Sequence, residues 1–178
     1  MVDSTTDDLP RLDRLDRHIL DELQHNGRLP VAELARRVHL SPTPCLERMR
    51  RLERDGFIRG YCAQLDAVRL GFPVIAFIQV SIDRTTPDVL DRFHAAVRAL
   101  DEVMECHMVA GAFDYLLKIR SVSTHEFRRF LGEKLFAVPG LQHTHTYLVL
   151  EELKATSRLP VRTKAPQRQL RAVRRRAE

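Results

Sequence analysis

Two rhythms of apolar spacing divide the chain. Leu12, Leu15, Ile19, Leu20 and Leu23 recur at intervals of three and four, the spacing of an amphipathic helix. Asp13 is read as its N-cap, and Asp16 places negative charge in the first turn, at the positive end of the helix dipole. Asn26-Gly27 ends it. A second short helix follows Pro30, with Val31, Leu34, Ala35 and Val38 turned inward. After a brief turn at His39-Leu40, Ser41-Pro42-Thr43-Pro44 opens a third helix, because serine caps well and proline is tolerated in a first turn. It runs to about Asp55 and stops at Gly56. Three short helices, the last two separated by a tight turn, form a helix-turn-helix pattern. Residues 57–65 read as β with a turn at Gly60, the place of a wing.

After a linker at 66–73 the rhythm changes. Residues 74–82 read as a strand. Val89, Leu90, Phe93, Ala96, Val97 and Leu100 define an amphipathic helix. Residues 103–109 and 115–122 read as strands joined by a hairpin loop at 110–114. Phe127, Phe130, Leu131 and Leu135 mark another helix, Pro139-Gly140 turns the chain, and 141–150 is the last strand. The order β-α-β-β-α-β is the ferredoxin-like split βαβ arrangement. The expected fold class is therefore α+β. A helix-turn-helix domain at 11–65 and the linker precede a ferredoxin-like domain at 74–153, flanked by a disordered N-terminus at 1–10 and a tail at 154–178.

Composition narrows the class. At 44% apolar residues the chain can bury a core, and no run of apolar residues is long enough for a membrane helix. Residues 1–10 carry Asp3, Asp7 and Asp8 and no apolar run, which speaks against a secretory signal. Cys45, Cys62 and Cys106 are widely spaced and odd in number, which fits a reducing cytoplasm better than a disulfide framework. The formal charge of +5 is unevenly placed: residues 154–178 hold nine Lys or Arg against one acid, and residues 11–60 hold eleven against eight. The basic tail has too few apolar residues for a core and is expected to be mobile, with a short basic helix around 167–176 as an alternative. Such a tail suits phosphates.

On a helical wheel the third helix has two sides. Cys45, Leu46, Met49 and Leu52 cluster on one. Thr43, Pro44, Glu47, Arg51 and Arg54 fall opposite, with Arg48 and Arg50 on the flanks. Small residues near the N-terminus followed by arginines suit a helix that enters the major groove, where cations reach bases or phosphates and Glu47 can accept from a cytosine amino group. Ser41, Thr43, Pro44, Glu47, Arg48, Arg51 and Arg54 are the candidate DNA-contacting residues. The alternative is a solvated face on which Glu47 pairs with Arg51. Arg28, Arg36 and Arg37 are either phosphate contacts or plain surface charge.

The stretches LDRLDRHILDELQHNGR and LSPTPCLERMRRLERDGFIRGY, within Leu12–Tyr61, resemble the DNA-binding domain of the leucine-responsive regulatory protein (Lrp/AsnC, feast-or-famine) family. ECHMVAGAFDYLLK (105–118) and TYLVLEELK (146–154) resemble its effector-sensing domain. The resemblance covers residues 11–158. It implies a cytoplasmic, nucleoid-associated regulator of amino-acid metabolism genes that binds double-stranded DNA and carries no cofactor, metal or enzymatic activity. It also implies dimers formed sheet against sheet, assembled into octamers or similar. An amino-acid effector is implied: leucine first, then another hydrophobic or metabolically linked amino acid, such as a branched-chain one or proline. Carried over by motif, the effector site is the loop Gly111, Ala112, Phe113 and Asp114, facing Tyr147, Leu148 and Val149 on the last strand. Gly111 would admit a ligand close to the backbone, and Asp114 would hold its ammonium group. Ala112 departs from the polar residue often found there. Taken alone, the loop also fits a plain tight hairpin with Gly at positive φ.

Other classes fit less well. An RNA-recognition module shares the topology but needs an aromatic strand motif that 103–109 and 115–122 lack. Cys106, His107, His143 and His145 suggest a metal, but the topology puts the second and fourth strands at opposite sheet edges, far apart within one chain, which leaves a site built across subunits as the alternative. No catalytic motif points to an enzyme.

Overall fold

The computed structural model describes residues 12–83 and 87–161. The expectations for 1–10 and for the tail beyond Val161 lie outside these residues. The described residues divide into two units, at Ala63/Gln64 and again at Ala155/Thr156, so that residues 156–161 return to the first unit.

The first unit holds α1 (Arg14–His25), α2 (Val31–Arg37) and α3 (Pro42–Arg54). Asp13 caps α1 in a reciprocal box: its Oδ1 accepts from the Asp16 N–H at 2.8 Å, and Asp16 Oδ2 accepts from the Asp13 N–H at 3.0 Å. Ile19, Leu34, Val38, Cys45 and Leu52 are fully buried together, with Leu23, Leu29 and Ala35 around them. The turn between α2 and α3 places His39 in the left-handed region at φ 57°, a conformation strained for a residue with a Cβ. The Leu40 N–H closes that turn on the Ala35 carbonyl at 2.8 Å.

Two sequence expectations are corrected here. Leu46 is only half-buried, and the inward side of α3 is Cys45, Met49 and Leu52. Residues 57–65 form no strand. Phe57 and Ile58 pack on the helical core, the Ile58 N–H bonds the Leu52 carbonyl, and Tyr61 donates to Glu53 at 2.9 Å. These groups are used against the helices, so no wing forms.

The returning segment corrects a third expectation, that everything from 154 onward is a free tail. Gln24 on α1 grips the Leu159 backbone with both ends of its amide. Its Nε2 donates to the Leu159 carbonyl at 3.1 Å, and its Oε1 accepts from the Leu159 N–H at 2.6 Å.

The second unit holds β1 (Val74–Ile82), α4 (Pro87–Arg98), β2 (Val103–Met108), β3 (Tyr115–Ser121), α5 (Thr124–Glu133), a 3-10 turn (Leu135–Ala137) and β4 (Leu141–Leu148). The sheet is antiparallel in the order β2-β3-β1-β4. Alternation puts Ala76, Ile78, Val80 and Ile82 of β1 and Tyr115, Leu117 and Ile119 of β3 on one face, against Phe93 and Val97 of α4 and Phe127 and Phe130 of α5. Gly140, at φ 80°, turns the chain into β4 where a Cβ would lie 2.5 Å from Val89. The opposite face of the sheet, including Phe77, Glu105, Lys118, His145 and Tyr147, has no helix over it among the described residues.

Candidate DNA interface and effector site

α3 begins without help from its N-cap side chain. Ser41 is extended and exposed, its hydroxyl makes no capping hydrogen bond, and Pro42 supplies a first helical position that needs no N–H partner. Pro42 and Pro44 carry no N–H and the Cys45 N–H bonds the Ser41 carbonyl at 3.3 Å, so the Ser41 hydroxyl and the Thr43 N–H are the groups open to an incoming acceptor in this first turn. Thr43 is exposed beside them and Pro44 half-buried. Pro44, Glu47, Arg48, Arg50, Arg51 and Arg54 line one open cleft, so the outward face read from the wheel exists as a surface.

The arginines on this surface are not equivalent. Arg48 donates through Nη1 to Asp13 and to Asp16 Oδ1, the latter at 2.7 Å, and Arg51 donates through Nη2 to Asp16 Oδ2 at 2.6 Å. The pairing of Glu47 with Arg51 does not form, because Asp16 takes Arg51 instead. Among the described residues Glu47, Arg50 and Arg54 have no ion-pair partner. Burial pushes the Asp13 carboxyl up, but the Asp16 N–H and the Arg48 guanidinium outweigh it and hold the group below its usual range. Arg36 and Arg37 are engaged by Glu33, and Arg37 also by Glu22. Both arginines hold Glu33 down to about 2.

Sequence reasoning gave Asp16 only a dipole role. Its signal was its position: between Leu12 and Ile19 on the inward side of α1, where a carboxylate is out of place unless it has partners.

The β2–β3 loop is stapled at both ends. The Val109 N–H bonds the Asp114 carbonyl at 2.9 Å, and the Asp114 N–H bonds the Val80 carbonyl at 3.0 Å. Asp114 Oδ2 also accepts from the Ile82 N–H at 2.8 Å, so part of this carboxylate is already committed. Gly111 and Ala112 are exposed, and Phe113 is half-buried. Gly111 is not at positive φ, and a Cβ there would meet nothing within 4 Å. The hairpin does not need a glycine at this position.

The register corrects one expectation. Tyr147 pairs with Phe77 and Leu148 with Ala76, and the Val149 N–H bonds Ile75, all at the start of β1. The loop sits by Val80–Ile82 at its end, where the β4 partners are Thr144 and His143. Loop and strand end are thus separated by at least about 10 Å along the strands and about 10 Å across them. They do not face each other within one chain. Cys106 on β2 and His143 and His145 on β4 lie on opposite edges. No group of three His, Cys, Asp or Glu side chains able to hold a metal stands together among the described residues. No helix among them is long and apolar enough to cross a membrane.

Known families match both units. The AsnC-type helix-turn-helix domain matches residues 12–53, and the Lrp/AsnC ligand binding domain matches residues 75–159. The chain belongs to the Lrp/AsnC family. It is 50% identical over 164 residues to the leucine-responsive regulatory protein of Salmonella typhimurium, covering 92% of this chain and 100% of that protein. A transcriptional regulator of Neisseria meningitidis, solved as an L-Met complex, superposes with TM-score 0.81 at 40% identity, covering 85% of this chain and 97% of the other. An AsnC family transcriptional regulator from Agrobacterium tumefaciens superposes with TM-score 0.81 at 33% identity, covering 84% and 97%. As an Lrp/AsnC protein the chain is a DNA-binding transcriptional regulator and not an enzyme.

Proposed function

We propose that this Lrp/AsnC regulator binds operator DNA through the outward face of α3 and changes its assembly or DNA affinity when an amino acid binds the ligand-binding domain. The observation that carries the reading is the cleft of Pro44, Glu47, Arg48, Arg50, Arg51 and Arg54, on the same chain as a ligand-binding domain. Ser41 and Thr43 lie at the entry of the helix, where base edges are approached most closely. Glu47, Arg51 and Arg54 follow along it.

The effector is leucine in the first instance, from the name of the Salmonella relative, with methionine beside it from the Neisseria complex. Its site is the loop Gly111, Ala112, Phe113 and Asp114 of one copy with Tyr147, Leu148 and Val149 of another. The register supports this division, because one chain cannot supply both groups at one place. The uncovered sheet face, with Phe77 and Tyr147 on it, supports a dimer packed through the sheets, and octamers or similar assemblies built from it.

A panel of the twenty amino acids, scored by thermal shift on the full chain, tests the effector assignment. Ligand that binds only the native state raises apparent stability, by about 2.7 kcal/mol at a hundred times Kd. Leucine or methionine should shift the transition, and Gly111→Val should remove the shift while leaving the unliganded transition in place. A flat panel contradicts the assignment.

A further inference from the structure

Asp16 is fully buried, on the inward side of α1 among the leucines and isoleucine of the helical core. A carboxylate there is costly unless its lone pairs are used. It accepts from the Asp13 N–H, from Arg48 and from Arg51, and both arginines come from α3. Asp13 and Asp16 together face two guanidiniums from α3. The two are held differently.

Arg48 shares Nη1 between Asp13 and Asp16 and is mostly covered, at 26% exposure. Arg51 touches Asp16 through Nη2 alone and is 44% exposed. Its Nε and Nη1 have no protein partner among the described residues. A guanidinium gripped at one corner by a buried carboxylate presents its remaining N–H groups in a set direction. That suits a pair of acceptors on a base edge, such as guanine O6 and N7. Ordering a long side chain before DNA arrives also removes an entropy cost from the binding step.

We propose that Asp16 is a specificity-setting positioning residue for DNA recognition: it orients Arg51 to read a base edge and withdraws Arg48 from the phosphates. The proposal rests on the reading of the α3 face as the base-reading surface. It assigns a recognition role to a residue on the first helix, buried away from the groove.

The test measures, for the full chain, the affinity ratio between a duplex selected from a random pool and a scrambled duplex, together with the salt slope. Asp16→Asn keeps the shape and an acceptor for the Asp13 N–H but loses the charge. Asp16→Asn and Arg51→Met should each lower the ratio, by about 5- to 150-fold, the equivalent of one good base contact. The double variant should be no worse than the more affected single one. Asp16→Asn should also bind scrambled DNA more tightly with a steeper salt slope, because released arginines neutralise phosphates. A role confined to folding would not steepen the slope.

If Arg51→Met keeps the wild-type ratio, the base-reading assignment of Arg51 fails, and the proposal with it. If Arg51→Met loses discrimination while Asp16→Asn keeps it, the α3 face stands and the positioning role is overturned. Should Asp16→Asn not fold, Arg51→Lys decides. It retains the charge but not the fork, and should lose discrimination as Arg51→Met does. Wild-type discrimination in that variant contradicts the proposal.

Discussion

Asp114 Oδ2 accepts a hydrogen bond from the backbone N–H of Ile82 at 2.8 Å. The bond pins the β2–β3 loop to the end of β1, beside the register shift at Ser81/Ile82. An aspartate placed here as the partner of an amino-acid ammonium group therefore has a structural duty as well. Asp114→Ala should strand the Ile82 N–H and cost about 1.5–3 kcal/mol, the range for hydrogen bonds to charged groups. Loss of effector binding in that variant would not identify a ligand contact. Asp114→Asn retains an acceptor and removes the charge. It should melt close to wild type yet lose affinity for the effector in isothermal titration. Unchanged affinity in Asp114→Asn would leave the residue with the loop architecture alone.

The two sides of α3 should respond to mutation in different ways. Glu47→Ala and Arg54→Ala remove exposed side chains without ion-pair partners among the described residues. They should weaken operator binding with stability changes within about 0.5 kcal/mol. Leu52→Ala empties a fully buried site and should cost about 2–5 kcal/mol. Leu46→Ala, at a half-buried site, should cost clearly less. Denaturant titrations beside binding curves separate the two sides. Operator affinity unchanged in both Glu47→Ala and Arg54→Ala would remove this face from recognition.

Acid should loosen the helix-turn-helix unit through Asp13. Its folded-state carboxyl is held below the ordinary value of 3.8 by the Asp16 N–H and Arg48, which outweigh burial. The stability linked to it is complete above that ordinary value and is lost as pH falls through the lower folded one. The denaturation midpoint should therefore hold level from neutral pH and drop on the acid side. Asp13→Asn still caps the helix but loses the ion pair, so its acid-side drop should be shallower. Identical pH profiles would show that the pair contributes nothing measurable.

The secondary structure was legible because each element carries a local cue. Asp13 caps α1 and Gly56 follows α3, and alternating β1 runs from Val74 to Ile82 as its pattern indicates. The match of both family domains agrees with the motif blocks around SPTPCLERM and VAGAFDYLL. What could not be read depends on partners distant in sequence. The grip of Asp16 on Arg48 and Arg51 spans more than thirty residues, as does the bond between Asp114 and Ile82. The hold of Gln24 on Leu159 spans 135. The missing wing is a matter of packing: 57–65 reads as β with a turn at Gly60, but Phe57 and Ile58 are drawn onto the helices.

The basic extension should add affinity without adding sequence preference. Truncation after Val161 keeps the Leu159 grip on Gln24 and removes Arg162, Lys164, Arg168, Arg171, Arg174, Arg175 and Arg176. Each phosphate that the shortened chain leaves unneutralised should flatten the log-affinity against log-salt slope by about 0.9 on B-form DNA. The truncated protein should bind all duplexes more weakly by similar factors. Equal slopes with unchanged assembly would reduce the extension to a solvated appendage, and equal slopes with a changed oligomer would give it a packing role instead.

Effector-responsive, sequence-specific DNA binding is tested by the affinity of the full chain for a duplex selected from a random pool, measured with and without each amino acid at one salt concentration. The selected duplex should be bound at least about a thousandfold more tightly than scrambled DNA. Leucine or methionine should change that affinity or the size of the bound assembly. Equal affinity for selected and scrambled duplexes, or indifference to all twenty amino acids, would contradict the proposed function.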